Sequence, residues 1–97
     1  MYNNTLGAVY YSLERYGQAV AALELSLRET QGEYAAYDLF FLAMCHARRG
    51  EAAAAKDCYD RAVQWVRERQ EKLSPEEKED LGQLQAEASA LLHPATR

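Results

Sequence analysis

Apolar residues recur along the chain at spacings of three and four, the period of helices that turn one face to a core. From about Asn4 to Arg15, Leu6, Val9, Tyr10 and Leu13 fall on one such face. "ERYGQA" reads as a short turn around Tyr16 and Gly17. A second helix from Gln18 to about Glu29 then aligns Val20, Leu23 and Leu27, with Ala19, Ala21 and Ala22 small enough to let a neighbour come close. "TQGEY" breaks the pattern at Gly32. The third helix, about Tyr34 to Arg49, carries Leu39, Leu42, Ala43, His46 and Ala47. Arg48 and Arg49 lie in its last turn, where positive charge suits the helix dipole, and Gly50 is placed as a C-cap. A fourth pattern runs from Glu51 to about Leu73 with Ala55, Cys58, Tyr59, Ala62, Val63 and Val66 on one face. Its length predicts an end that frays or projects.

"SPEEKEDL" is the sharpest local signal. Ser74 can cap, Pro75 fits the first helical position, and Glu77 completes a capping box. Leu81, Leu84, Ala88 and Leu91 then form one apolar stripe, to about Leu92, opposite a face of Glu, Gln and Lys, and "HPATR" reads as a frayed tail. No segment shows the alternation of a strand. The fold class is therefore all-α, with about five helices. The charged run "RERQEKLSPEEKEDL" reads as solvated surface, with a docking or coiled-coil role as the alternative.

Composition narrows the function classes. Ninety-seven residues make one domain with a thin core. A formal charge of −4 argues against nucleic acid, which calls for clustered Lys and Arg. No apolar run of about 18 residues offers a membrane span. The start, "MYNNTLGAVYYSL", lacks the positive region of a signal peptide, and two cysteines fit free thiols in a reducing compartment, so the cytoplasm is expected.

The helices come in pairs, and the pairs resemble each other at a period of 36 residues. "LGAVYYSLERYGQAVAALELSL" parallels "LAMCHARRGEAAAAKDCYDRAV" with Glu14 opposite Gly50. Leu6 then pairs with Leu42, Gly7 with Ala43, Tyr10 with His46, Ala19 with Ala55, Leu23 with Tyr59 and Ser26 with Ala62. Such a period suggests a helical solenoid unit. Both copies resemble the tetratricopeptide repeat, TPR. Its Leu–Gly pair is met by Leu6–Gly7 and Leu42–Ala43. Its turn and second helix are met by Tyr16, Ala19, Leu23 and Leu27 in one copy and by Gly50, Ala55, Tyr59 and Ala62 in the other. Small residues stand where helices would cross and large ones where they would fill holes. The chain departs from the family pattern in three ways. Asn3 and Leu39 replace the early aromatic, no proline follows the second helices, and the spacing exceeds the family's period of about 34 residues.

The resemblance implies a short right-handed TPR-like solenoid in a single domain, with repeat one about 3–31, repeat two about 37–70 and a terminal helix about 75–92. It also implies a concave face of Asn4, Ala8, Tyr11 and Ser12, continued by Tyr37, Phe40, Met44, Ala47 and Arg48. The adjacent pairs Tyr10–Tyr11 and Phe40–Phe41 cannot both face one core, so one member of each must look elsewhere. Asn4, Tyr11, Tyr37, Phe40, Met44 and Arg48 are thus the candidate protein-binding residues, with Tyr11, Tyr37, Phe40 and Met44 an aromatic, apolar lining suited to a peptide. Some family members clamp a C-terminal carboxylate, but Asn4, Ala8, Phe41 and Arg48 keep too few of those donors for a clamp to be expected.

Cys45, His46 and Cys58 raise the question of metal or thiol chemistry. Cys45 and His46 are adjacent, about 100° apart on a helix, and no CxxC pair completes a zinc set. No third group marks a catalytic pair. His46 falls in the slot of Tyr10, which predicts a packed ring making one hydrogen bond. The reading is a non-catalytic protein–protein interaction or scaffold module without cofactor or metal, not an enzyme. Its partner is a protein or peptide, or a second copy in a homo-oligomer, and not nucleic acid or membrane. The alternatives are a structural or capping segment of a larger protein and, less favoured, a small enzyme or metal protein using His46 and the cysteines.

Overall fold

A computed structural model describes residues 3–29 and 35–92, the side chains of residues 3–5 excepted. Five α-helices follow one another: α1 (Asn3–Ser12), α2 (Tyr16–Glu29), α3 (Ala35–Arg48), α4 (Ala52–Glu68) and α5 (Pro75–Leu92). A single 3₁₀ turn, Gln70–Lys72, lies between α4 and α5, and no strand occurs among the described residues. The all-α class and the number of helices are those expected. The expected break at Gly32 and the tail after Leu92 lie outside the described residues.

Helices adjacent in sequence pack in pairs, α1 on α2 and α3 on α4. Helix α3 is the hub, touching all four others, and nine of its residues are buried, among them Leu39, Phe40, Leu42, Ala43, Met44 and Cys45. Small residues set the crossings. Ala19, Ala43, Ala55, Ala62 and Ala88 are fully enclosed. A Cβ added to Gly7 would overlap the Leu23 side chain, so α1 approaches α2 through the absence of that atom.

The turns inside the two pairs are built alike. After α1, the Arg15 N–H donates to the Tyr10 carbonyl at 2.8 Å and the Glu14 N–H to the Tyr11 carbonyl at 3.0 Å, with Glu14 at φ 62°. After α3, the Glu51 N–H donates to the His46 carbonyl at 2.8 Å and the Gly50 N–H to the Ala47 carbonyl at 3.1 Å, with Gly50 at φ 78°. Both are Schellman caps, in which a left-handed residue lets two N–H groups reach back to carbonyls the helix leaves unpaired. The first turn is therefore centred on Glu14, not on Tyr16 and Gly17. Those two begin α2, where Gly17 has open space around it.

Helix α4 ends at Glu68, several residues before the expected Leu73. Arg69 leaves helical geometry at φ −121° and stacks its guanidinium 4.7 Å from the centre of the Trp65 ring. The chain then turns back into α5, which packs on α3 and α4, so this end does not project. The capping box forms as expected: the Ser74 N–H donates to Glu77 Oε1 at 2.9 Å and the Glu77 N–H donates to Ser74 Oγ at 3.1 Å. Leu81 and Ala88 turn inward from α5.

A buried polar contact helps tie the pairs together. Ser26 Oγ of α2 donates to Asp38 Oδ2 of α3 at 2.9 Å, and both side chains are enclosed. Asp38 lies in the first turn of α3, where the helix dipole favours a carboxylate.

Candidate functional site

The aromatic residues divide between interior and surface. Phe40 and Met44, expected on an open concave face, are 0 % and 1 % exposed. The reason is α5: its packing against α3 places Leu81 and Ala88 in the same buried cluster as Phe40 and Met44, and Phe40 meets Tyr59 of α4 edge-on at 5.8 Å. Of the pair Phe40–Phe41, it is Phe41 that looks outward, half-buried. Tyr10 and Tyr11 are both half-buried, and so is Tyr37, which packs against the core. Tyr37, Phe41 and Arg48 share one face of α3 by helical spacing. The side chain of Asn4 lies outside the described residues.

Two of the candidates do meet. Arg48 Nε donates to the Tyr11 hydroxyl at 3.3 Å, joining the last turn of α3 to the end of α1. The Tyr11 ring stands 5.6 Å from Tyr16, tilted by 57°, and 6.0 Å from Phe41, edge-on at 67°. Such tilted geometries are favoured because ring edges are positive and faces negative. Tyr11, Ser12, Glu14, Tyr16 and Arg48 line a cleft of about 290 Å³ over this cluster. That is close to the lower limit for small-molecule pockets, room for one or two side chains. Ser12 Oγ is turned back onto the Ala8 carbonyl at 3.1 Å. The chemistry of the cleft is therefore aromatic faces, one guanidinium and one carboxylate at the rim. Arg48 holds its proton more firmly than a free guanidinium, chiefly through the Tyr11 hydrogen bond. Its charge is permanent in the accessible pH range. Among the described residues Arg48 makes no ion pair with Asp or Glu within 4 Å, so its terminal N–H groups remain for a ligand. The sequence pointed to Tyr11 and Arg48. It gave no role to Tyr16 and Glu14 at this site, because the first turn was placed too late in the chain, and it weighed Phe41 only as a position of a carboxylate clamp.

A second cleft, about 370 Å³, runs between α4 and α5 and is lined by Tyr59, Asp60, Val63, Gln64, Arg67 and Gln85. Gln85 Nε2 donates to the Tyr59 hydroxyl at 3.3 Å across it. The cleft is bordered by ordinary surface ion pairs such as Lys56–Asp60 at 2.8 Å, and no aromatic face opens into it besides Tyr59.

His46 and the cysteines occupy packing positions. His46 Nδ1–H donates to Glu51 Oε1 at 2.6 Å across the α3–α4 turn, and Arg49 Nη2 lies 3.4 Å from Glu51 Oε2. The hydrogen bond from His46, then the charge of Arg49, holds the Glu51 carboxyl below its usual range. Cys45 and Cys58 are free and buried. Burial pushes the Cys45 thiol up to about 11 and raises that of Cys58, so both stay protonated and poorly nucleophilic at neutral pH. Among the described residues no group of three or more His, Cys, Asp or Glu is arranged to hold a metal ion, and no helix is long and apolar enough to cross a membrane. Comparison with family models, with curated proteins and with solved structures gives no match.

Proposed function

We propose that this chain is a non-catalytic, TPR-like protein-interaction module, and that the cleft lined by Tyr11, Tyr16 and Arg48 receives a peptide segment of a protein partner. The observation that carries the reading is a half-exposed aromatic cluster with the Arg48 guanidinium at its edge. Aromatic faces beside arginine are the residue types that dominate binding energy at protein interfaces. The partner segment therefore bears an apolar or aromatic side chain next to a carboxylate, the first for the ring faces and the second for Arg48. Tyr37, on the same face of α3, extends the contact along that helix. The TPR-like architecture is supported by the paired helices, the two matching Schellman caps and the enclosed small residues at equivalent crossings. Free, buried thiols support a reducing compartment such as the cytoplasm.

The test is selection of binders from a displayed random-peptide library, with affinities of the enriched sequences measured by fluorescence anisotropy. Enriched peptides are expected to pair an aromatic with an acidic residue. Tyr11→Ala and Arg48→Glu are each expected to weaken them by about fivefold or more, since the loss of one such anchor costs above about 1 kcal/mol. Peptides that bind both variants as tightly as the wild type would remove the cleft from the interaction.

A further inference from the structure

The cleft over the first turn carries two opposite charges that do not pair. Arg48 and Glu14 both line it, and among the described residues neither lies within 4 Å of an opposite charge, each other included. Arg48 holds its proton chiefly through the Tyr11 hydrogen bond, and the field of the Glu14 carboxylate adds to that hold. Glu14 is also an unusual residue for its place. It closes the Schellman cap after α1 at φ 62°, a left-handed conformation that glycine adopts freely and that Gly50 supplies, at φ 78°, in the equivalent turn. The cap therefore gives no reason for a carboxylate here. Exposed at the rim of the cleft, Glu14 is one of the two charges that a bound segment meets.

We infer that the cleft selects a segment bearing both an acidic and a basic residue beside its aromatic or apolar one, with Glu14 as the residue that demands the base. The inference rests on the peptide-binding reading of this cleft and adds to it the charge of the ligand. A segment with a carboxylate alone gains at Arg48 but is repelled by Glu14 in the same cleft. One that also carries an ammonium or guanidinium group gains at both poles. The volume of about 290 Å³ admits the ring and leaves the two charged side chains at the edge. The whole chain has a formal charge of −4, which opposes the approach of acidic segments and leaves a segment of zero net charge unopposed. Discrimination then comes from repelling the wrong ligand as much as from attracting the right one.

The probes are short capped peptides, flanked by glycine, with Lys–Trp–Asp, Asp–Trp–Lys or Gln–Trp–Asp at the centre. They are titrated against the whole chain by NMR, following the Tyr11 amide and the Arg48 Nε–H signals. One of the two orders with both charges is expected to bind about threefold more tightly than Gln–Trp–Asp, the scale of one exposed ion pair, and the advantage should shrink as salt is raised. Glu14→Gln is expected to abolish the advantage. Glu14→Gly should abolish it equally while relieving the left-handed cap, a combination that a purely structural role for Glu14 would not produce. Melting curves check that both variants stay folded. Equal affinity of the wild type for all three peptides, or an advantage that survives both substitutions, overturns the inference. The peptide-binding reading would still stand if Gln–Trp–Asp bound the wild type and not Arg48→Glu. No shift at Tyr11 or Arg48 with any peptide overturns both.

Discussion

The two helix pairs are built on one plan and live in different surroundings. In the pair α3–α4, residues at the crossings are enclosed from both sides, by α2 and α1 on one and by α5 on the other. In the pair α1–α2 the crossing residues Gly7, Ala19, Leu23 and Ser26 are enclosed as well, but Leu6, Val9 and Ala22 are more open than their counterparts Leu42, Cys45 and Cys58, and its turn is closed by Glu14 where the other has glycine. The difference teaches that a repeat unit supplies only part of its own core, and that neighbours supply the remainder. A residue's burial here is set as much by which helix lies over it as by its own place in the repeat.

The largest expected contrast is between equivalent leucines. Leu42→Ala should cost about 2–5 kcal/mol, the range for a leucine deleted from a packed interior, while Leu6→Ala at its half-buried counterpart should cost less than about 2 kcal/mol. Urea midpoints at constant slope measure both, and equal losses would break the comparison. Smaller effects of opposite sign are expected at the two caps. Glu14 holds a left-handed conformation that costs a non-glycine residue on the order of 1 kcal/mol, so Glu14→Gly should raise stability by up to about that amount, and Gly50→Ala should lower it by about as much. Thermal melting of the two single variants decides this. The smallest effect concerns pH. Glu51 has its folded pKa depressed by His46 and Arg49, so its contribution is complete above the unfolded carboxylate value of about 4.3 and fades as pH falls through the folded value. The first pair has Arg15 in place of Glu51 and Tyr10 in place of His46, and makes no such contact. Glu51→Gln should therefore flatten the acid limb of the melting-temperature profile, whereas Arg15→Gln should leave its shape unchanged.

Much of this was legible in the sequence, and the gaps have physical causes. The helices and the Ser74–Glu77 capping box follow from local periodicity and cap chemistry, which need only neighbouring residues. The single hydrogen bond expected of His46 follows from its slot in the repeat, although nothing marked Glu51 as the acceptor. The first turn was misplaced because glycine is the ordinary residue for a left-handed cap and Gly17 stood nearby. The alignment of Glu14 with Gly50 already held the answer. The end of α4 carries no glycine or proline, and Arg69 turns the chain without either. Phe40 and Met44 were misjudged for a different reason. Their burial depends on where α5 docks, and contacts between helices distant in sequence leave no local trace. Tyr11 and Arg48 were singled out for one surface, yet their meeting across 37 positions comes from the packing of α1 against α3. Asp38 showed the same limit: in the sequence it is one acidic residue among several, and its burial is tied to a hydrogen bond from Ser26 on another helix.

That buried Ser26–Asp38 contact has a consequence for how the molecule comes apart. Chains made of stacked units can melt piecemeal, one unit opening while the next holds, when the junctions between them are weak. Here the junction contains a buried carboxylate that accepts a hydroxyl hydrogen bond from the other pair, and opening the junction breaks that bond. Separating the pairs is therefore penalised more than apolar contact alone would require. The two pairs should exchange their slowest amide hydrogens at a common rate, as one cooperative block, and Ser26→Ala should split that block in two.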